Sequence, residues 1–233
     1  MPDMRTGMSP DMSLDGRTVA VIGAAGALGA GLALAFAAAG ASVIGVVRAE
    51  PRLDSQLDGV RYQAVNVLDD AALAALFDQG PPPWAVINTV GGFAAHAPLA
   101  ELDPAVLAAQ LQLNLVSAAL ITKHALRRMR TAGEGRIVHS ASRAATVTRG
   151  AGFAYSVSKL GVLHLVTMAA DEVRGTGVTV NCVVPRIIDT PANRNAMPDA
   201  DHASWPKVSE IAPAYLFLAS PAAHRVCGAA VPV

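Results

Sequence analysis

The sequence predicts an α/β fold, a single-domain, doubly wound parallel sheet of about seven strands with helices on both faces. Three observations predict it. Short, β-branched apolar runs alternate along the chain with longer segments whose apolar residues recur at helical spacing. The thirty residues from Thr18 to Val47 carry no charge, as elements of a fully covered sheet do, yet they include six glycines, too many for a membrane helix. Glycine-rich or polar junctions follow the strands, which is where open parallel sheets bind ligands. A chain of 233 residues can bury one such core and does not demand a second domain.

Each element has its own signal. Thr18-Val19-Ala20-Val21-Ile22 is the first strand, and Gly23-Ala24-Ala25-Gly26-Ala27-Leu28-Gly29 turns the chain into a helix. On that helix Leu28, Leu32, Ala35, Phe36 and Ala39 share a face, and Gly40 caps it. Ser42 to Val47 is the second strand and Val60 to Val65 the third. Asp69 to Gln79 follows as a helix with Leu73, Leu76 and Phe77 inward, broken by Gly80-Pro81-Pro82-Pro83. Trp84 to Asn88 is the fourth strand, running into Gly91-Gly92. Behind Asp103 as N-cap, Pro104 opens one long helix to about Arg130. Arg136 to Ser140 is the fifth strand, Gly152 to Arg174 a helix, and Val178 to Val184 the sixth strand. Residues 185–207, rich in Pro, Asn and Asp, read as a mobile lid over a site. Val208 to Leu218 is the last helix and Ala229 to Val233 an edge strand.

Composition narrows the function. With 18 basic and 18 acidic residues the formal net charge is zero, which leaves no electrostatic footprint for nucleic acid or a membrane surface. Cys182 and Cys227 have neither paired nor metal-like spacing, so a reducing, cytoplasmic setting is expected. The six histidines form no metal-ligand pattern on any one helix, and no metal is expected. Asp3, Asp11 and Asp15 ahead of the apolar run do not make a basic secretory lead. Residues 1–13 read as a flexible tail and 14–233 as the domain.

The first glycine turn points to a nucleotide, because glycines let backbone approach a phosphate and the N–H groups of a helix start face its charge. An acid at the end of the second strand would bind the ribose 2′-OH of NAD. Val47 stands there instead, followed by Arg48, whose guanidinium suits a 2′-phosphate. NADP(H) is therefore expected in preference to NAD(H). Tyr155 and Lys159 lie at i and i+4 on one helix face. A phenol ordinarily titrates near about 10, and a nearby ammonium favours the phenolate. Such a tyrosine can give a proton to a carbonyl oxygen as hydride arrives, or take it back. Ser142, just past the fifth strand, can polarise the same oxygen.

On these residues the sequence resembles the short-chain dehydrogenase/reductase family from about residue 15 to the end. Gly23, Gly26 and Gly29 match the family's cofactor turn, with Ala27 where a glycine is more usual. Asn88-Thr89-Val90-Gly91 stands at its Asn-Asn-Ala-Gly segment, and Asn114, Ser142, Tyr155 and Lys159 match its catalytic tetrad. Asn181, Pro185 and Thr190 match the strand and loop that cover the nicotinamide. Asn66, where an Asp often contacts adenine, and Arg186, where a Gly often follows the Pro, depart from the pattern. The resemblance implies a Rossmann domain, a homodimer or homotetramer, and a water-linked proton relay from Asn114 to Lys159. It implies cofactor contacts from Gly23, Gly26, Leu28, Gly29, Arg48, Asn66, Val67, Asn88, Gly91, Tyr155, Lys159, Pro185, Ile188 and Thr190.

A narrower likeness exists to dihydropteridine reductase, in the glycine turn and in Asp189 to Asp201 with Ser204-Trp205. The main expectation is an NADPH-dependent reductase of a carbonyl compound, working reversibly as an alcohol dehydrogenase. Pterin reduction is the alternative, and a non-catalytic NADP(H) sensor the alternative of another class. Gly92, Phe93, His96, Arg143, Arg149, Phe153 and Arg186 are expected near the pocket, where the arginines can receive an acidic substrate.

Overall fold

The structure, a computed structural model, describes residues 12–49, 56–94, 98–147 and 152–233. Its strands are β1 (Thr18–Ile22), β2 (Ser42–Val47), β3 (Val60–Ala64), β4 (Ala85–Asn88), β5 (Glu134–Ser140), β6 (Gly177–Val184) and β7 (Ala230–Pro232). They form one seven-stranded sheet in the order β3-β2-β1-β4-β5-β6-β7, and every neighbouring pair is parallel. The order reverses direction between β1 and β4. At such a switch point the loops diverge and leave a crevice at the carboxyl ends of the strands.

Alternation along the strands builds two cores. Val19, Val21 and Ile87 face one side, packed by α1 (Ala27–Ala38) and α7 (Val208–Ala219) through Leu32, Phe36, Tyr215 and Leu218. Ala20, Ile22, Val86 and Ile137 face the other side. There α2 (Asp70–Asp78), α4 (Ser117–Ala132) and α5 (Phe153–Glu172) bring Leu73, Phe77, Ile121, Met129, Val162 and Val166. The stretch from Thr18 to Val47 is thus strand, helix and strand. Pro104–Ala132 and Phe153–Glu172 are long and apolar enough to cross a membrane, yet both press an apolar face onto the sheet.

The predicted caps form. Asp103 accepts a hydrogen bond from the Ala105 amide at the head of α3 (Pro104–Leu111), Asp69 caps α2, and Gly40 takes a φ of 90° behind α1. Two elements differ from expectation. The long helix after Pro104 is interrupted between α3 and α4 by a π turn over Gln112–Val116. The segment 185–207 holds a short helix, α6 (Pro191–Ala196), and a 3-10 turn at His202–Ser204. Most of the expected tail lies outside the described residues, while Leu14 is buried against the α1 side of the sheet.

Candidate active site

The turn after β1 is built by close packing. The amides of Gly23 and Ala24 both donate to the Val46 carbonyl, at 2.8 and 3.1 Å, which ties the turn to β2. A Cβ on Gly29 would lie 2.2 Å from the Gly23 carbonyl oxygen, and one on Gly23 would lie 2.8 Å from Thr89 Oγ1. Gly26 differs: its Cβ would meet only the Gly23 carbonyl, at 3.5 Å, on an otherwise open side. Gly26 is the N-cap of α1, with no side-chain cap and no acid in the first turn. The free N–H groups of that turn therefore have no carboxylate competing for them, and the cradle fits a dinucleotide phosphate.

The end of β4 carries the next group. The Asn88 amide donates to His139 Nδ1 at 3.1 Å, while its Oδ1 accepts from the Val90 amide at 3.0 Å. His139 is completely buried on β5, and its Nε2 meets Thr122 Oγ1 at 2.9 Å. The Thr122 hydroxyl spends its proton on the Ala118 carbonyl, so Nε2 must donate and Nδ1 must accept. Burial, reinforced by the Lys159 charge, lowers the His139 pKa to about 4 and keeps it neutral.

Gly91 gives the segment its clearance, since a Cβ there would lie 2.7 Å from Asn114 Oδ1 and 2.9 Å from Lys159 Nζ. Asn114 sits in the π turn and clamps Gly92, with Oδ1 accepting from its amide at 2.9 Å and Nδ2 donating to its carbonyl at 3.0 Å. The same Nδ2 lies 3.0 Å from Ser158 Oγ. One extra residue in the helical turn is a common device where a side chain must be re-aimed at a site.

Ser142, Tyr155 and Lys159 line one cavity. Lys159 is buried and donates from Nζ to the Ser140 carbonyl at 2.9 Å. Burial lowers its pKa to about 8. The Tyr155 phenol is raised by burial, and the neighbouring Ser142 hydroxyl draws it back in part. Burial therefore acts against the phenolate in this site. Phe93 packs edge-on against Tyr155, with centroids 5.2 Å apart.

The cavity, of about 840 Å³, runs from Leu28 and Thr89 past Gly91 and the catalytic candidates to Pro185, Ile188 and Trp205. Segment 185–207 is held by its own polar bonds. Asp189 pairs with Arg194, Thr190 caps α6 through the Asn193 amide, and the Asn193 side chain donates to the Ile188 carbonyl at 2.8 Å. Of the expected substrate-side residues, Gly92, Phe93, Arg143 and Arg186 line the cavity, whereas Phe153 lines a smaller neighbouring one. His96 and Arg149 lie outside the described residues.

Arg48, Asn66 and Val67 stand beyond the ends of β2 and β3, outside the main cavity lining, and Asn66 Oδ1 accepts from the Leu68 amide. Sequence reasoning missed Val147, Ile187, Met197 and Trp205 as cavity residues, and His139 and Thr122 as the support behind Asn88. A histidine directly after Ile137-Val138 near the end of β5 was the one available signal for the latter pair.

Residues 17–201 match the family model described as short chain dehydrogenase. Among curated relatives, the chain is 33% identical to cis-4-hydroxycyclohexanecarboxylate dehydrogenase of Sinomonas cyclohexanicum, covering 93% of this chain and 94% of that one. It is 34% identical to D-threitol dehydrogenase of Mycolicibacterium smegmatis, over 94% and 92% of the two chains. Among solved structures, a short-chain type dehydrogenase/reductase from Mycobacterium ulcerans superposes with a TM-score of 0.87 at 29% identity, covering 95% of this chain and 89% of that one.

Proposed function

The chain belongs to the short-chain dehydrogenase family, and from that premise we propose that it interconverts a carbonyl compound and its alcohol using NADP(H) in preference to NAD(H). The observation that carries the reading is the convergence of Ser142, Tyr155 and Lys159 on one wall of a cavity that starts beside the glycine turn. Gly23, Gly26, Leu28 and Gly29 would hold the phosphates, and Arg48 the 2′-phosphate. Asn66 and Val67 would flank the adenine, and Asn88 and Gly91 would form the wall beside the ribose. Lys159 would hold the nicotinamide ribose, with Pro185, Ile188 and Thr190 covering the nicotinamide. When bound, the nicotinamide supplies or accepts the hydride.

The proton work falls to the chain's own residues. Burial favours the protonated Tyr155 phenol, which can donate to the carbonyl oxygen while the Ser142 hydroxyl polarises that oxygen. Lys159, titrating near about 8, is mostly charged at neutral pH and has a proton to pass on. Asn114 holds the Gly92 backbone in place beside it. Similarity to dehydrogenases of a hydroxy acid and of a polyol favours alcohol–ketone chemistry over pterin reduction.

The test is NADPH oxidation against a panel of ketones, aldehydes and quinonoid dihydropterin. Tyr155→Phe should lower turnover about a thousandfold while NADPH affinity persists. Turnover that survives Tyr155→Phe would refute the assignment, and turnover of the pterin alone would replace the substrate class.

A further inference from the structure

Arg143 and Arg186 stand on the loops after β5 and β6, which are neighbouring strands. The Arg143 amide donates to the Pro185 carbonyl at 2.9 Å, so the backbones that carry the two guanidinium groups are joined. Arg143 directly follows Ser142, and both arginines line the same cavity as Tyr155. No Asp or Glu lines that cavity, and among the described residues neither arginine has a carboxylate within ion-pair distance. In segment 185–207 Arg194 is occupied by Asp189. Two exposed cations on joined loops at one cavity, unpaired among the described residues, can receive an anion, and guanidinium matches a carboxylate in forked geometry.

The rest of the lining is mainly apolar and offers a hydroxyl-rich ligand few side-chain partners. Outside the catalytic set, several neutral polar side chains of the cavity are already engaged within the protein. Thr89 donates to the Ile22 carbonyl at 2.9 Å, Asn193 to the Ile188 carbonyl at 2.8 Å, and Ser204 to the Asp201 carbonyl at 2.7 Å. Ser140 Oγ is engaged by the Tyr215 hydroxyl at 2.8 Å. A polyol would face the apolar surfaces of Val147, Ile187 and Met197 with few side-chain partners for its hydroxyl groups. The same surface suits hydrocarbon.

We propose that the substrate pair is a keto acid and the matching hydroxy acid with an aliphatic or alicyclic body, its carboxylate held by Arg143 and Arg186. This rests on the carbonyl–alcohol reading of the site. In the reductive direction the carbonyl carbon gains a hydride and the oxygen gains the Tyr155 proton. The C=O π bond is lost, the nicotinamide is oxidised, and the carboxylate is unchanged.

The experiment compares a series of keto acids of growing chain length, levulinate first, with their methyl esters, in the wild type and in the double variant Arg143→Gln/Arg186→Gln. Wild-type kcat/KM should favour each acid over its ester by about tenfold or more, and the double variant should bring the ratio close to parity. Calorimetric titration of the hydroxy acids should show the same arginine dependence without turnover. Equal use of acid and ester by the wild type would overturn the proposal. So would a double variant that raises the KM for NADPH while keeping the acid preference, since the arginines would then serve a cofactor phosphate. Arginine-dependent acid binding without Tyr155-dependent turnover of any carbonyl would overturn the underlying reaction and leave the anion site standing.

Discussion

At Gly26 and Gly29, three residues apart in one turn, an added methyl group meets opposite surroundings. On Gly29 it would strike the Gly23 carbonyl at 2.2 Å, a backbone atom that cannot step aside, while on Gly26 it would find 3.5 Å of clearance. Gly29→Ala should therefore destabilise the fold by about 1–3 kcal/mol in chemical denaturation. Gly26→Ala should cost no more than about 1 kcal/mol yet weaken NADPH binding about tenfold or more in a fluorescence titration. Unchanged affinity in Gly26→Ala would move the phosphate away from this turn. Arg48 belongs to the same scale. It is exposed at the end of β2 behind a buried Val47, where a carboxylate would discriminate the other way. Arg48→Ala should raise the KM for NADPH about tenfold and the KM for NADH far less. Equal effects on the two would remove Arg48 from the site.

Two elements resisted the sequence for different reasons. Apolar spacing from Pro104 onward reads the same with or without one extra residue, because a π turn shifts the stripe by less than its own width. What fixes that turn is Asn114 gripping Gly92, a contact between residues far apart in the chain. Segment 185–207 has no apolar period at all. Its order comes from short-range polar bonds, among them the Thr190 cap on α6 and the His202 ring against the Met197 carbonyl at 2.7 Å. Composition therefore marked the segment but not the helix within it. Thr190→Val removes that cap and should cost α6 about 1 kcal/mol. Hydrogen exchange should quicken over Asn193 to Met197 while the global melting temperature barely moves. A loss spread over the whole sheet would contradict a local role.

For the whole molecule, the buried His139 couples folding to pH. Its folded pKa of about 4 lies below the ordinary 6.5, so the unfolded chain takes up the proton first. Stability contributed by the neutral ring is therefore complete above about pH 6.5. It is lost progressively as the pH falls towards about 4 and is constant below that. Between about pH 7 and about pH 4.5 the loss amounts to about 2–3 kcal/mol. Urea denaturation at those two pH values should show it in the wild type and not in His139→Asn. The paired carboxylates Asp70, Asp78 and Asp189, held below the usual range by their cationic partners, leave a further acid limb in both proteins. An equal loss in the two proteins would show that His139 is not the source.

By itself the sequence determined the fold class, the order of the elements and the family. Those depend on periodicity, on glycine at tight turns and on short motifs whose members lie a few residues apart. The placement of Tyr155 and Lys159 on one helix was legible for that reason. Only the tertiary structure decided that burial raises the Tyr155 phenol, that His139 and Thr122 stand behind Asn88, and that the loops carrying Arg143 and Arg186 are joined at two neighbouring strand ends. Desolvation and counter-charge are sums over neighbours, and the neighbours in each case come from separate strands and helices that only folding brings together.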